Sequence, residues 1–99
     1  MAKDELRTVF YTTLAAIPAG RYCSYGDMAK LCDVHVRQVL AWLRSLPAGS
    51  DLPWYRLITS QRRIADYPGN QKQHRLLAEE GLIPKANGRY PQHLRWPDS

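Results

Sequence analysis

The sequence predicts a mainly α domain with a small β-hairpin, arranged as a winged helix-turn-helix. Three observations carry this. An apolar stripe of helical period opens the chain, two short helical segments flank a tight turn after it, and two β-rich runs then flank a cationic turn. A chain of 99 residues supports one modest core and not a second.

Residues 4–17, DELRTVFYTTLAAI, put Leu6, Val9, Phe10, Leu14 and Ile17 on one face behind Asp4 as the expected N-cap, and PAG ends the helix. In RYCSYGDMAKLC, Ser24 is the expected N-cap of a short helix reaching Cys32. The turn DVH then leads to VRQVLAWLRSL. Here Val36, Val39, Leu40 and Leu43 are expected to face inward, while Arg37, Ala41 and Arg44 share the outer side. PAGSDLP reads as a loop, and YRLITS and RIADY read as strands joined by SQRR. Asn70 is the expected cap of a last helix, QKQHRLLAEE, stopped by Gly81. Residues 1–82 thus form the expected domain. Residues 83–99 are rich in Pro, Gly and polar side chains and read as an extended tail, with Ile83, Tyr90, Leu94 and Trp96 expected to pack back on the body.

Composition narrows the function classes. With 44% hydrophobic residues and no window near the ~18 apolar residues that span a bilayer, a soluble globule is expected. MAKDELRTVF carries acids where a secretory leader carries cations, so a cytoplasmic location is expected. Fourteen Lys and Arg against nine acids give a net charge of +5, and ten of the fourteen are Arg. Arginine favours planar, bidentate contact with phosphate, a modest push toward nucleic acid. Cys23, Cys32 and His35 lack a fourth ligand, so reduced thiols, no metal and no cofactor are expected.

One stretch stands out. SDLPWYRLITS sets Trp54 and Tyr55 between Pro53, which fixes the backbone, and Arg56. Such aromatics often cap a core. The other possibility is that they are there to touch a ligand.

Together, IPAGRYCSYGDMA, VRQVLAWL, LPWYRLITS, the run ending at Tyr67 with Gly69, and LLAEEG resemble the DNA-binding, active-site domain of the O6-alkylguanine-DNA alkyltransferases. The resemblance runs from about residue 8 to residue 82, in order. Active members carry Pro-Cys-His-Arg where this chain has Pro53, Trp54, Tyr55 and Arg56. In them the cysteine attacks the alkyl carbon as a thiolate, activated by the histidine through water and a glutamate corresponding to Glu80. An indole has a delocalised nitrogen lone pair and donates only. A tyrosine with a pKa near ~10 is a poor base at neutral pH. Two further departures are the missing Asn ahead of the site, in RSLPAGSD, and Leu40-Ala41 in place of a Gly pair.

A DNA-handling frame with Trp for the nucleophile resembles the alkyltransferase-like proteins, non-enzymatic binders of alkylated guanine that hand the lesion to nucleotide excision repair. The resemblance implies a monomer that binds duplex DNA through the minor groove. Trp54, Tyr55, Tyr67 and Pro53 would form a pocket for flipped O6-alkylguanine. Arg37 would fill the gap in the duplex, and Tyr25 would crowd the phosphate and rotate the nucleotide outward. Ser24, Lys30, Ala41, Arg44, Arg62 and Arg63 are the candidates for backbone contact, and binding through them would weaken with salt. Glu80, without a histidine partner, is expected to pair with Arg56 in a structural role. Some alkyltransferase-like relatives carry Arg at the Tyr67 position, so a cation–π contact is expected to be missing here.

Blander and rival readings compete with these. Trp54 and Tyr67 could be core, Tyr25 could pack on the first helix, and the arginines could form a solvated face. The protein could transfer the alkyl group to Cys23 or Cys32, or it could be a winged-helix regulator reading undamaged sequence.

Overall fold

A computed structural model describes residues 3–47 and 49–97. In chain order they form α1 (Lys3–Ala16), β1 (Cys23–Ser24), α2 (Tyr25–Cys32), α3 (Val36–Arg44), β2 (Leu57–Ile58) and α4 (Gln71–Glu79). Short 3-10 turns occupy Trp54–Arg56 and Gln92–Leu94. The mainly helical prediction holds; the hairpin does not.

Phe10 and Leu14 bury the inner face of α1 and Ile17 is buried just beyond its end, each apolar side chain contributing on the order of 2 kcal/mol. Val9, expected inside, is 37% exposed at the edge of that stripe. The helix begins at Lys3 and already contains Asp4; the cap expected of the Asp4 side chain lies outside the described residues.

Ser24 caps α2 as its sequence suggests: its backbone is extended and its Oγ accepts from the Asp27 N–H at 3.0 Å. Asp33, left-handed at φ 55, ends the helix, and His35 opens the next one by accepting the Arg37 N–H on Nδ1 at 3.1 Å. On α3, Val39 and Trp42 are the buried pair, with Trp42 stacked 5.4 Å from Phe10. Trp42 was absent from the expected inward set. Val36, Leu40 and Leu43 are only half-buried, whereas Arg37, Ala41 and Arg44 are exposed together.

The expected hairpin is replaced by a parallel pair, with Cys23 beside Leu57 and Ser24 beside Ile58. Both strands are buried, as parallel strands usually are. Residues 59–63 do close a turn, the Thr59 N–H donating to the Arg63 carbonyl at 2.9 Å, but no ladder follows. The backbone groups that a returning arm would use are engaged elsewhere. The Leu57 carbonyl accepts from the Gln73 side chain at 2.9 Å, and the Arg62 carbonyl accepts from the Tyr90 N–H at 2.8 Å.

This short sheet divides the core in two. Cys23 and Leu57 join Phe10, Leu14, Met28, Val39 and Trp42, while their neighbours Tyr22 and Ile58 join Leu77, Leu82 and Tyr90. Alternation along a strand produces that split.

Asn70 holds the cap position of α4 as expected, its carbonyl accepting from the His74 N–H at 3.1 Å, but its side chain makes no cap bond; Nδ2 donates to the Ala65 carbonyl at 3.2 Å instead. Gly81 ends α4 at φ 84, with the Gly81 and Leu82 N–H groups returning to the Ala78 and Leu77 carbonyls, each at 2.9 Å. Beyond it Tyr90 is buried, and Leu94 and Trp96 pack on the two core clusters. Tyr22 bridges the segment, donating to the Leu94 carbonyl at 3.2 Å and accepting from the Trp96 N–H at 2.7 Å. Ile83, expected to pack back, is 59% exposed. Asp98 and Ser99 lie outside the described residues.

Candidate nucleic-acid interface

Pro53 is buried and starts the 3-10 turn that carries Trp54, Tyr55 and Arg56. In so tight a turn, consecutive side chains diverge. The Trp54 and Tyr55 rings meet edge-on, 5.8 Å apart at 88°. Trp54 lines a cavity of about 850 Å³, whereas Tyr55 turns its hydroxyl to Glu80.

The cavity wall is assembled from several elements. Tyr25 comes from the start of α2, Leu40, Leu43 and Arg44 from α3, Trp54 from the turn, Tyr67 from the segment before α4, and Lys72 and Gln73 from α4 itself. The aromatics and leucines make it apolar, with Arg44, Lys72 and Asp66 as charged members. Such a space suits a flat, mostly apolar ligand with a few polar groups. Burial pushes the phenols of Tyr25 and Tyr67 above their ordinary value, and the Tyr67 hydroxyl donates to Gln73 Oε1 at 2.7 Å.

Beside the cavity lies a network centred on Glu80. Arg56 forks onto both carboxylate oxygens, Nε reaching Oε1 at 3.0 Å and Nη2 reaching Oε2. Tyr55 donates to Oε2 at 2.8 Å and the Gly20 N–H to Oε1 at 3.1 Å. Nη1 of Arg56 reaches the Ile17 carbonyl at 2.7 Å, which ties the end of α1 to the turn. Burial opposes ionisation of Glu80, but the donors from Arg56, Gly20 and Tyr55 outweigh it and hold the carboxyl below its usual range. Burial, then the bond to Glu80, pushes the Tyr55 phenol up. The Glu80 carboxylate thus accepts four hydrogen bonds from within the fold, and Glu80 is not among the residues lining the cavity.

The structure therefore brings together Trp54, Tyr67, Tyr25 and Arg44 of the sequence-predicted residues. Tyr55 and Pro53, expected in the pocket, are not among the residues lining this cavity: Tyr55 donates to Glu80, and Pro53 is buried at the start of the turn. Ser24, expected at the DNA backbone, is 7% exposed with its hydroxyl spent on the α2 cap. Arg37 and Ala41 sit exposed on α3, and Lys30 sits exposed on α2. Arg63 is exposed on the 59–63 turn, where Arg62 is half-buried in left-handed conformation at φ 64. Sequence reasoning missed Gln73, which is 2% exposed and bonded to Tyr67, Tyr55 and Leu57. Its spacing four residues before buried Leu77 places both on one helical face, a signal that was there to be used.

Neither thiol is among the residues lining the cavity. Cys23 is fully buried and its thiol is pushed up to about 12 by desolvation, then by Asp27. Cys32 is 2% exposed and its thiol is likewise raised by burial. Among the described residues, no group of three or more His, Cys, Asp or Glu is placed to hold a metal ion, and no helix is long and apolar enough to cross a membrane.

The fold and cavity define a helix-turn-helix domain with exposed Arg37 and Arg44 on α3 and an apolar cavity lined by Tyr25, Trp54 and Tyr67 as well as Arg44. Residues 5–82 match the family model for the 6-O-methylguanine DNA methyltransferase, DNA binding domain. A DNA base-flipping protein of Escherichia coli is 39% identical over 98 residues, covering 95% of this chain and 76% of that protein. Alkyltransferase-like protein 1 of Schizosaccharomyces pombe is 32% identical over 87 residues, covering 83% of this chain and 81% of that one. The crystal structure of Schizosaccharomyces pombe Atl1 in complex with damaged DNA containing O6-carboxymethylguanine superimposes with a TM-score of 0.84. The two are 29% identical, and the match covers 99% of this chain and 100% of that chain. This chain belongs to the alkyltransferase-like family.

Proposed function

We propose that this protein binds duplex DNA containing O6-alkylguanine, takes the flipped base into the cavity walled by Trp54, Tyr67 and Tyr25, and leaves the alkyl group in place. One observation carries the reading. At the Pro-x-x-Arg frame the residue facing the cavity is Trp54, whose indole offers a stacking face and no nucleophile, while both cysteines are buried in the core.

In this reading α3 approaches the minor groove. Arg37 enters the stack in place of the extruded nucleotide, offsetting part of the few kcal/mol that flipping costs. Ala41, with its small side chain, allows close approach of the helix. Lys30, Arg44, Arg62 and Arg63 neutralise phosphates, and Tyr25 turns the nucleotide toward the cavity. With the alkyl group still on the base, the cavity keeps its ligand and the complex persists. A persistent complex is suited to summon nucleotide excision repair proteins, and a cytoplasmic monomer acting on the chromosome completes the reading.

The test is to incubate the protein with a duplex carrying one O6-methylguanine, isolate the complex and weigh both components by mass spectrometry. The expected result is a stable complex in which the DNA keeps its methyl group and the protein mass is unchanged. A methyl group gained by the protein would establish transfer, and failure to form a complex would remove lesion binding.

A further inference from the structure

We infer that Gln73 is a positioning residue: it fixes Tyr67 with respect to Trp54 and so sets how selectively the cavity holds the lesion base. The inference rests on the function proposed above and adds a residue to it.

The geometry is specific to a glutamine. Oε1 accepts from the Tyr67 hydroxyl at 2.7 Å, and Nε2 donates to the carbonyls of Tyr55 at 3.0 Å and Leu57 at 2.9 Å. The amide thus uses both N–H groups and its oxygen at a position only 2% exposed. Tyr55 and Leu57 flank Arg56, so one end of the clamp grips the turn directly after Trp54. The other end grips Tyr67, which lies in a segment without helix or strand of its own. Trp54, Tyr67 and Gln73 all line the cavity.

No common substitute reproduces this. Asparagine is one carbon shorter, an ionised glutamate cannot donate to carbonyls, and methionine fills the volume without donors or a strong acceptor. A stacking wall whose two faces are held at fixed spacing binds a base without first paying to order itself. A wall with a loose Tyr67 does not.

Two variants test the inference. Gln73→Met removes the whole clamp but strips two buried carbonyls of their donor, which threatens the fold. Tyr67→Phe cuts only the aromatic end, keeps a ring on the cavity wall and leaves Gln73 bound to both carbonyls. Two readouts are taken on each: side-chain order at position 67 by NMR relaxation of the DNA-free protein, and the ratio of affinities for an O6-methylguanine duplex and its undamaged twin. The expected result for Tyr67→Phe is lower ring order and a ratio reduced about tenfold, with Gln73→Met, where it folds, reduced at least as far. A ratio within about twofold of wild type in Tyr67→Phe would overturn the inference, as would unchanged ring order. A wild-type protein with no lesion preference would instead sink the functional reading, and ring order would then decide alone whether Gln73 fixes Tyr67.

Discussion

The Tyr55 hydroxyl donates to Oε2 of Glu80 at 2.8 Å and its ring packs on the second core cluster, whereas its neighbour Trp54 lines the cavity. Adjacent residues in one 3-10 turn therefore take different tasks. Trp54 is surface for a ligand, and Tyr55 is part of the frame that holds the turn.

Tyr55→Phe separates those tasks. It should lower stability by about 2 kcal/mol, the value of one hydrogen bond to a charged group, and leave affinity for lesion DNA within about twofold. Chemical denaturation beside a binding titration checks both, and a selective loss of lesion binding would return Tyr55 to the pocket.

Glu80 gives the fold a defined acid sensitivity. Its folded carboxyl titrates below the ordinary value of 4.5, so the stability it contributes is complete above that value and is lost as pH falls through the folded value. Urea midpoints measured from about pH 6 down to about pH 3 should fall more steeply for wild type than for Glu80→Gln. Glu80→Ala leaves the Arg56 guanidinium half-buried without its carboxylate and should cost about 3 kcal/mol at neutral pH.

Trp54→Ala addresses whether the indole is wall or core. The side chain is half-buried and lines the cavity, so its loss should weaken lesion-duplex binding by about tenfold while the folded protein survives with a modestly lower melting temperature. A collapse of the melting transition would mark Trp54 as core.

Cys23 and Cys32 should resist thiol reagents in the native protein and react fully in denaturant. Burial hides both sulfurs, and the Cys23 thiol at about 12 supplies almost no thiolate at neutral pH. Timed alkylation with mass detection measures this directly, and fast native modification of either would reopen transfer through a thiol.

Local signals carried much of this fold. The Ser24 cap, the break between α2 and α3 and the exposed Arg37, Ala41 and Arg44 face follow from neighbours within a turn or two, where periodicity and capping chemistry act. The parallel pairing of Cys23 with Leu57 does not, because YRLITS and RIADY satisfy a hairpin pattern equally well until Gln73 takes the Leu57 carbonyl. The candidate site divided the same way. Trp54, Tyr67 and Tyr25 are legible through the motif frame, but the bond that ties Tyr55 into the fold is to Glu80, 25 residues away in sequence. Trp42, three residues after Val39, shares the inner face with it, and both are buried.

The account turns on recognition of damage, and the most direct measurement is a titration against two duplexes identical except for one O6-methylguanine, at one stated salt concentration. Clearly tighter binding to the lesion duplex is expected, by a margin that shrinks in Trp54→Ala and Arg37→Ala. Equal binding to the two duplexes would contradict it.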